Sequence, residues 1–207
     1  MGLYRDRIFP ACYDLLMGMG KLESLRQDAL APVRGDILEI GIGTGLNLAH
    51  YPEPVRSIVG IDSNPGMLKQ LSAKLRTSPV DVRIECAGAD QLPFPDDSFD
   101  TVVSTLVLCS LPDRPAALRE IQRVLRPNGR FVFLEHGLSP DPKVAAWQTR
   151  LNSIQRRFAV GCLLDVPVNQ ELESAGFAFE QLSMGYQKGE SKTHGYLYQG
   201  IAILGTV

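Results

Sequence analysis

The stretch Ile37-Leu38-Glu39-Ile40-Gly41-Ile42-Gly43-Thr44-Gly45 decides the fold of this chain. It begins as a short apolar run with β-branched residues, which is typical of a buried strand, and it ends in a turn rich in glycine. Glycine permits a tight turn and lets the backbone approach a ligand closely. Asp62 follows about 20 residues later, at the end of a second predicted strand, where an acidic side chain can hold ribose hydroxyl groups. The stretch therefore predicts a nucleoside-binding βαβ unit rather than a turn that only packs a helix on a sheet.

Strands and helices alternate along the rest of the chain. We predict strands over 36–40, 57–61, 82–86, 99–104, 130–135, 177–184 and 196–204. Helices are predicted over 46–50, 65–76, 114–125 and 167–175, after a helical stretch over 4–31 that is broken near Pro10 and at 18–20. The alternation indicates an α/β fold with a mostly parallel sheet of seven strands and helices on both faces.

The length of 207 residues suits a single domain. We divide it into an N-terminal helical cap (1–34), a cofactor-binding core (35–136), a substrate-side insertion (137–166) and a closing helix and strand pair (167–207). The formal net charge is −2, so there is no general positive field to hold nucleic acid, and we expect no nucleic-acid partner. No apolar run is long enough to span a bilayer. We expect a cytoplasmic protein, with peripheral membrane contact and the oligomeric state left open by the sequence.

The four cysteines are Cys12, Cys86, Cys109 and Cys162, and no two of them have CxxC spacing. A structural zinc site and a disulfide framework are therefore not expected, and we predict no metal site. Cys109 and Cys162 are predicted to be buried and unreactive, because no basic cluster nearby in the sequence would lower the pKa of either thiol.

The spacing of the glycines discriminates between two nucleoside cofactors. NAD-binding turns have the pattern GxGxxG and place a helix N-terminus against pyrophosphate, whereas this turn has the pattern GxGxG and follows Glu39. A carboxylate there would repel pyrophosphate but could help to hold a cationic amino group. S-adenosylmethionine has such a group and no phosphate, so it is favoured over NAD.

Four stretches in order resemble the Rossmann-like class I S-adenosylmethionine-dependent methyltransferases. Residues 37–45 resemble motif I, 60–67 the ribose-binding segment, 89–94 the adenine-binding segment, and 120–130 the turn from a helix into the fifth strand. The resemblance covers residues 36 to 136. It implies that S-adenosyl-L-methionine is the cofactor and assigns contacts with it to Glu39, Gly41, Gly43, Gly45, Asp62, Ser63, Met67, Ala89, Asp90, Gln91, Thr105 and Leu106.

A narrower resemblance, carried by Tyr13 to Met17, Leu134 to His136, Trp147 and Gly161-Cys162, is to alkyl thiol methyltransferases. Quinone-biosynthesis C-methyltransferases share the same core. We therefore expect a small, moderately apolar acceptor, a thiol, a quinone-like phenol or an amine. His136, at the end of the fifth strand, is the candidate catalytic base. Candidate substrate contacts are Tyr13, Trp147, Phe158, Tyr186 and His194, with Tyr4 as a further lid residue. The alternatives are a non-catalytic module that binds S-adenosylmethionine and, with less support, an NAD-linked oxidoreductase.

Overall fold

A computed structural model describes residues 2, 4–17, 21–53, 55–75 and 81–205 of the chain. The strands are β1 (Gly35–Ile40), β2 (Val55–Ile61), β3 (Val82–Glu85), β4 (Phe99–Thr105), β5 (Leu125–His136), β6 (Phe177–Tyr186) and β7 (Tyr196–Leu204). The helices are α1 (Phe9–Met17), α2 (Lys21–Leu30), α3 (Pro65–Leu75), α4 (Arg114–Val124), α5 (Pro142–Phe158) and α6 (Val168–Ser174). A π-helical turn (Tyr4–Ile8) precedes α1, and 3-10 turns follow β1 (Leu48–His50) and β4 (Leu108–Ser110).

The seven strands form one sheet in the order β3-β2-β1-β4-β5-β7-β6. Strands β1 to β5 are parallel to their neighbours, and β7 is antiparallel to both β5 and β6. After β1 the chain continues to β2 and β3 on one side, and it then crosses to β4 and β5 on the other side. The point between β1 and β4 is therefore a topological switch, where ligands bind outside the carboxyl ends of the strands. The predicted α/β fold class is confirmed.

Side chains of the central strands alternate between two apolar cores, because successive residues of a strand point to opposite faces of the sheet. On one face, Ile37 packs with the end of α2 and the turn that follows it, together with Ile58, Val103, Val132 and Ile201. On the other face, Leu38 packs with helices α4 and α6, together with Ile40, Val102, Phe131 and Phe133. Glu39 alternates to the same face as Ile37, so its carboxylate lies on the side of the sheet that α2 covers.

Three local expectations differ from the structure. The predicted helix over 46–50 is only the 3-10 turn, because the Asn47 side chain is engaged in a buried polar network described below. Pro10 does not break the first helix, since it lies in the first turn of α1, where no N–H is needed. The predicted break at 18–20 lies outside the described residues. Strand β5 begins at Leu125, and residues 126–129 loop out of it, because Phe99 pairs with Leu125 while Thr101 pairs with Arg130.

Candidate active site

The glycine turn after β1 lies at the switch point, where sheets of this kind have their ligand-binding cleft. Gly41 and Gly43 have φ angles of +63° and +56°, which residues with a side chain rarely adopt. A Cβ atom at Gly41 would lie 2.5 Å from Cγ2 of Val107, so the turn packs directly against the loop after β4. A Cβ atom at Gly43 would meet nothing closer than 3.8 Å. Gly43 is buried, and the atoms nearest to that Cβ position are the carbonyl oxygen of Gly41 and Cε1 of Tyr13.

The carboxylate of Asp62 lies beside Gly43, directly after the end of β2. One oxygen accepts the N–H of Gly43 at 3.0 Å, and the other accepts the N–H of Asn64 at 2.7 Å. Burial raises the pKa of Asp62, although both backbone hydrogen bonds and the charge of Arg5 oppose the shift. The geometry fixes this carboxylate at the place where the sequence predicts a ribose diol.

A buried polar network lies beneath the turn. Glu39 is 1% exposed, and its two oxygens accept hydrogen bonds from Asn47 Nδ2 and Tyr51 OH, both at 2.8 Å. Asn47 Nδ2 also donates to Thr105 Oγ1 at 2.7 Å, and Arg26 Nη1 donates to Asn47 Oδ1 at 2.8 Å. Burial raises the pKa of Glu39 to about 7, against the lowering influence of its hydrogen bonds and of the Arg26 charge. A carboxyl with such a pKa can change its charge when a cation arrives nearby.

Arg26 is the cation of this network and is itself 4% exposed. Within the described residues, its Nε and Nη2 atoms are buried and have no hydrogen-bond partner. A buried guanidinium with unused donors is costly unless an anion meets it. Arg26, Asn47 and Tyr51 were not predicted as site residues, because nothing in their spacing along the chain indicates that they converge on Glu39.

The N-terminal segment packs against the loop after β2, where the sequence predicts the ribose. Arg5 Nη2 donates to the carbonyl of Ser63 at 3.2 Å, and Asn64 Nδ2 donates to the carbonyl of Arg5 at 2.9 Å. Tyr4 OH donates to the carbonyl of Phe158 at 2.6 Å, which joins this segment to the end of α5. The π-helical turn thus bridges the loop after β2 and the helix after β5.

Tyr13 is the one predicted substrate contact that lies beside the glycine turn. Its Cε1 atom would be 3.9 Å from a Cβ at Gly43, and its ring packs against Phe9 with centroids 5.7 Å apart. Burial raises the pKa of Tyr13 against the influence of Arg26, so its hydroxyl stays protonated. Tyr13 forms part of the wall of the cleft.

The predicted adenine-binding segment is held by helix α4. Glu120 accepts the N–H of Leu92 at 2.7 Å, and the guanidinium of Arg123 donates to the carbonyls of Leu92 and Phe94 at 3.1 and 2.8 Å. Within this clamped segment Ala89 is buried, whereas Asp90 and Gln91 are exposed. The carboxylate of Asp90 is therefore accessible to a ligand. Met67 lies in α3 and is 5% exposed.

The loop after β4 separates the glycine turn from β5. The hydroxyl of Thr105 is engaged by the Glu39 network, and Leu106 has a positive φ of 59°. Glu135 holds this loop by accepting the Ser104 hydroxyl at 2.7 Å and the N–H of Val107 at 2.9 Å. Burial raises the pKa of Glu135 to about 7.

His136 lies at the end of β5 against two cysteines. Its Nε2 atom is 3.1 Å from Cys162 Sγ, and Gln155 Nε2 donates to the same sulfur at 3.7 Å. The hydrogen bond from Cys109 and the nearby His136 lower the pKa of Cys162 to about 4, against the effect of burial. Burial lowers the pKa of His136, but the Cys162 thiolate outweighs it and raises that pKa overall.

The predicted burial of Cys109 and Cys162 is confirmed, since they are 2% and 7% exposed. The expectation that Cys162 has no basic neighbour is wrong. His136 supplies one, from a strand that is distant in the sequence, so spacing along the chain carries no signal of this contact.

The other four predicted substrate contacts do not line one common surface. Tyr186 packs against Tyr196 with ring centroids 5.0 Å apart, and its hydroxyl is 2.5 Å from Ser139 Oγ. Trp147 and Phe158 lie on α5 and are 56% and 61% exposed. His194 is exposed, and its Nε2 atom is 3.4 Å from Gln155 Oε1, which connects it to the surroundings of Cys162. Their roles toward a substrate stay predictions.

Comparison with known proteins identifies the class. Residues 38–133 match a family of methyltransferase domains. The fold also matches a chain in the complex between the Haloferax volcanii Trm112 methyltransferase activator and a methyltransferase, with a TM-score of 0.75, 19% identity, and coverage of 96% of this chain and 97% of that one. The YcgJ protein of Bacillus subtilis gives a TM-score of 0.68 at 18% identity, covering 89% and 98% of the two chains. This chain belongs to the class I S-adenosylmethionine-dependent methyltransferases.

Two groups of curated relatives are similar in sequence. Human thiol S-methyltransferase TMT1A is 35% identical over 184 residues, which is 82% of this chain and 72% of the relative. The rat TMT1B enzyme is 33% identical over 174 residues, 78% of this chain and 71% of the relative. The UbiE C-methyltransferase of Geobacter sulfurreducens is 36% identical over 129 residues, 58% of this chain and 50% of the relative.

The chain is thus an S-adenosylmethionine-dependent methyltransferase, and the alternative of an NAD-linked oxidoreductase is set aside. No helix among the described residues is both long enough and apolar enough to cross a membrane.

Proposed function

We propose that this enzyme transfers the methyl group of S-adenosylmethionine to the sulfur of a small, moderately apolar thiol. One observation carries the choice of a thiol over a phenol or an amine. The similarity to thiol S-methyltransferases extends over 82% of the chain, whereas the similarity to the quinone-pathway enzyme covers 58%. Since acceptor-binding segments of this fold lie outside the cofactor core, the longer match bears on the acceptor.

The cofactor fits the cleft through its three chemical parts. Asp62 would accept hydrogen bonds from the ribose diol, and the exposed carboxylate of Asp90 would accept from the adenine amino group. The methionine part carries an ammonium and a carboxylate. The carboxylate of Glu39, when ionised, suits the ammonium, and the unused donors of Arg26 suit the carboxylate. The missing side chain at Gly43, where a Cβ would meet no atom closer than 3.8 Å, favours a close approach of the chain that joins these groups.

The cofactor supplies an electrophilic methyl group on a positively charged sulfur. The protein therefore has to align the acceptor with that methyl group and to exclude water. Tyr13 beside Gly43 and the N-terminal turn beside the loop after β2 would help to exclude water from the bound cofactor. His136 is proposed as a base or acceptor contact through Nδ1, which is buried and has no partner within the described residues.

Three acceptors of one shape test the proposal. Thiophenol, phenol and aniline differ in the nucleophilic atom alone, so each is incubated with the protein and isotopically labelled S-adenosylmethionine. We expect labelled methyl phenyl sulfide by mass spectrometry and no labelled product from phenol or aniline. Methylation of phenol or aniline in preference to thiophenol would refute a thiol acceptor.

A matched pair of variants links the reaction to the cleft. Asp62→Asn should lose most of the transfer to thiophenol, whereas Asp28→Asn, which changes an exposed aspartate on α2, should retain it. Cofactor binding without transfer to any member of a broad acceptor panel would instead support the non-catalytic alternative.

A further inference from the structure

Two cysteines and a histidine converge at the carboxyl ends of β4 and β5. The Sγ atoms of Cys109 and Cys162 and a ring nitrogen of His136 all lie within 4.8 Å of one another. Cys109 comes from the loop after β4, His136 ends β5, and Cys162 lies in the loop after α5. A backbone hydrogen bond of 2.9 Å from Leu163 N to Cys109 O joins the first and third of these elements. Three separate parts of the fold therefore hold the donor atoms in place.

These donor atoms define the kind of ion that could bind. Two thiolate sulfurs and one imidazole nitrogen suit a soft or borderline cation, whereas Mg²⁺ and Ca²⁺ require oxygen ligands. Zn²⁺ accepts this donor set in tetrahedral geometry, and a zinc site with three protein ligands has its fourth position open. Within the described part of the chain, this group contains no fourth histidine, cysteine or carboxylate.

We propose that Cys109, His136 and Cys162 bind one Zn²⁺ ion whose fourth position is open to a further ligand. The expectation of no metal site rested on spacing along the chain, and the convergence in space removes that basis. Burial of both cysteines limits the access of bulk water and of bulky thiols to the ion, and a small acceptor is consistent with that restriction. His136 Nε2 and Cys162 Sγ are in direct hydrogen-bond contact at 3.1 Å, and they need to separate only to about 3.6 Å to share one tetrahedral cation.

The position of the ion relates it to the methyl transfer. Cys109 Sγ is 3.8 Å from the carbonyl oxygen of Leu106, a residue predicted to face the methyl group of the cofactor. Resting on the proposed function, we assign the fourth position to the acceptor sulfur. With Nε2 on the ion, Nδ1 of His136 carries a proton and acts as an acceptor contact rather than as a base, so the thiol proton passes to solvent as its sulfur binds. The sulfur lone pair then forms the new bond to the methyl carbon, and the old carbon–sulfur bond leaves its electron pair on S-adenosylhomocysteine. The thioether product is a weaker ligand than a thiolate and can leave.

Cobalt titration tests the metal site without any measurement of activity. The reduced, metal-free protein is titrated anaerobically with Co²⁺, which reports tetrahedral thiolate ligation by sulfur-to-cobalt charge-transfer and ligand-field bands. We expect saturation at one equivalent and displacement by one equivalent of Zn²⁺. Cys109→Ser, Cys162→Ser and His136→Gln should each weaken or abolish the bands. The control Cys86→Ser, at an exposed cysteine outside the cluster, should leave them unchanged.

X-ray absorption on the zinc-loaded wild-type protein keeps the test independent of whether a variant folds. We expect two sulfur ligands at about 2.3 Å and at least one nitrogen ligand at about 2.0 Å. Failure of the reduced wild-type protein to take up a stoichiometric ion would refute the site. Bands that persist unchanged in Cys162→Ser, or a first shell without sulfur, would refute it equally.

The role of the fourth position has a separate readout. Thiophenol should change the charge-transfer bands of the cobalt protein, and phenol should not. A stoichiometric sulfur-ligated ion in a protein that methylates no thiol would uphold the metal site and refute the proposed function. Thiol methylation at an undiminished rate by protein shown to be metal-free would uphold the proposed function and refute the assignment of the acceptor to the ion.

Discussion

Replacing Glu39 with glutamine should remove a pH dependence of stability that this buried carboxyl creates. In the folded protein burial raises the pKa of Glu39 to about 7, whereas the ordinary value of 4.5 applies to the unfolded chain. Below about pH 4.5 both states hold the proton, so Glu39 contributes nothing to the pH dependence. Between about pH 4.5 and about pH 7 the unfolded chain is ionised and the folded protein is not. The free energy of unfolding therefore falls as the pH rises.

The size of this effect follows from the pKa difference. The interval from 4.5 to about 7 corresponds to roughly 3 kcal/mol of lost stability above pH 7. Glutamine has the shape of the glutamate side chain and can still accept from Asn47, while its amide group can donate to the Tyr51 oxygen. The variant should keep the fold and lack the penalty, so we expect it to be more stable than the wild type above pH 7.

Urea unfolding at a series of pH values measures this difference. The three proteins are the wild type, Glu39→Gln and a matched control, Glu53→Gln, which changes an exposed glutamate. Glu135, whose pKa burial also raises to about 7, contributes equally in all three, so the difference isolates Glu39. We expect Glu39→Gln to match the wild type near the acid end and to exceed it by about 3 kcal/mol above pH 7. An identical pH slope in Glu39→Gln and the wild type would refute the reasoning.

Glu39→Gln should lower the affinity for the cofactor above pH 7, although it raises the stability of the protein there. The ionised form of Glu39 favours the ammonium of S-adenosylhomocysteine, so the affinity of the wild type should fall below pH 7 by up to about tenfold per pH unit. Glu39→Gln should bind more weakly above pH 7 and show a flatter pH profile by calorimetry. An unchanged affinity and profile would show that the Glu39 charge does not act on the cofactor.

Three further substitutions separate the cofactor site from the fold. Asp62→Asn should weaken S-adenosylhomocysteine binding by about 1.5–3 kcal/mol, roughly ten- to a hundredfold, because charge-assisted hydrogen bonds to the ribose are lost. A variant that binds with the affinity of the wild type in calorimetry would contradict a ribose contact. Gly41→Ala should destabilise the protein by about 1–3 kcal/mol in urea unfolding, because φ is +63° and the new Cβ meets Val107 at 2.5 Å. A variant as stable as the wild type would contradict this packing of Gly41 against Val107. Phe131→Ala should cost about 3–5 kcal/mol in the same assay, because the ring is fully buried beside Phe133 and Phe177; a loss below about 1 kcal/mol would contradict a well-packed core there.

The proposed acceptor sulfur and the proposed zinc ion concern the same edge of the sheet. The loop after β4 contacts the glycine turn through Val107 and reaches the cysteine–histidine cluster through Cys109. The short segment from Val107 to Cys109 therefore connects the cluster to the glycine turn. This proximity is why the metal and the methyl transfer are tested by independent readouts.

The sequence by itself determined the fold class, the order of the cofactor segments and the nature of the cofactor. The apolar run of β1, the glycines after it and Asp62 are close together along the chain, and their chemistry is expressed in local structure. Alternation of apolar residues likewise indicated the central strands, because each strand exposes its pattern within a few residues. The extents of β5 and of the turn after β1 were missed, since tertiary pairing and the side chain of Asn47 decide them.

Only the tertiary structure decided what surrounds the reacting groups. Arg26, Asn47 and Thr105 belong to three different elements, and they meet at Glu39 because α2 covers that face of the sheet. Cys109 and His136 meet because the parallel strands β4 and β5 end at one edge of the sheet, and α5 returns Cys162 to the same edge. Contacts between residues so distant along the chain leave no periodic or spacing signal. The buried guanidinium of Arg26 and the cluster of Cys109, His136 and Cys162 can therefore be recognised only in the folded structure.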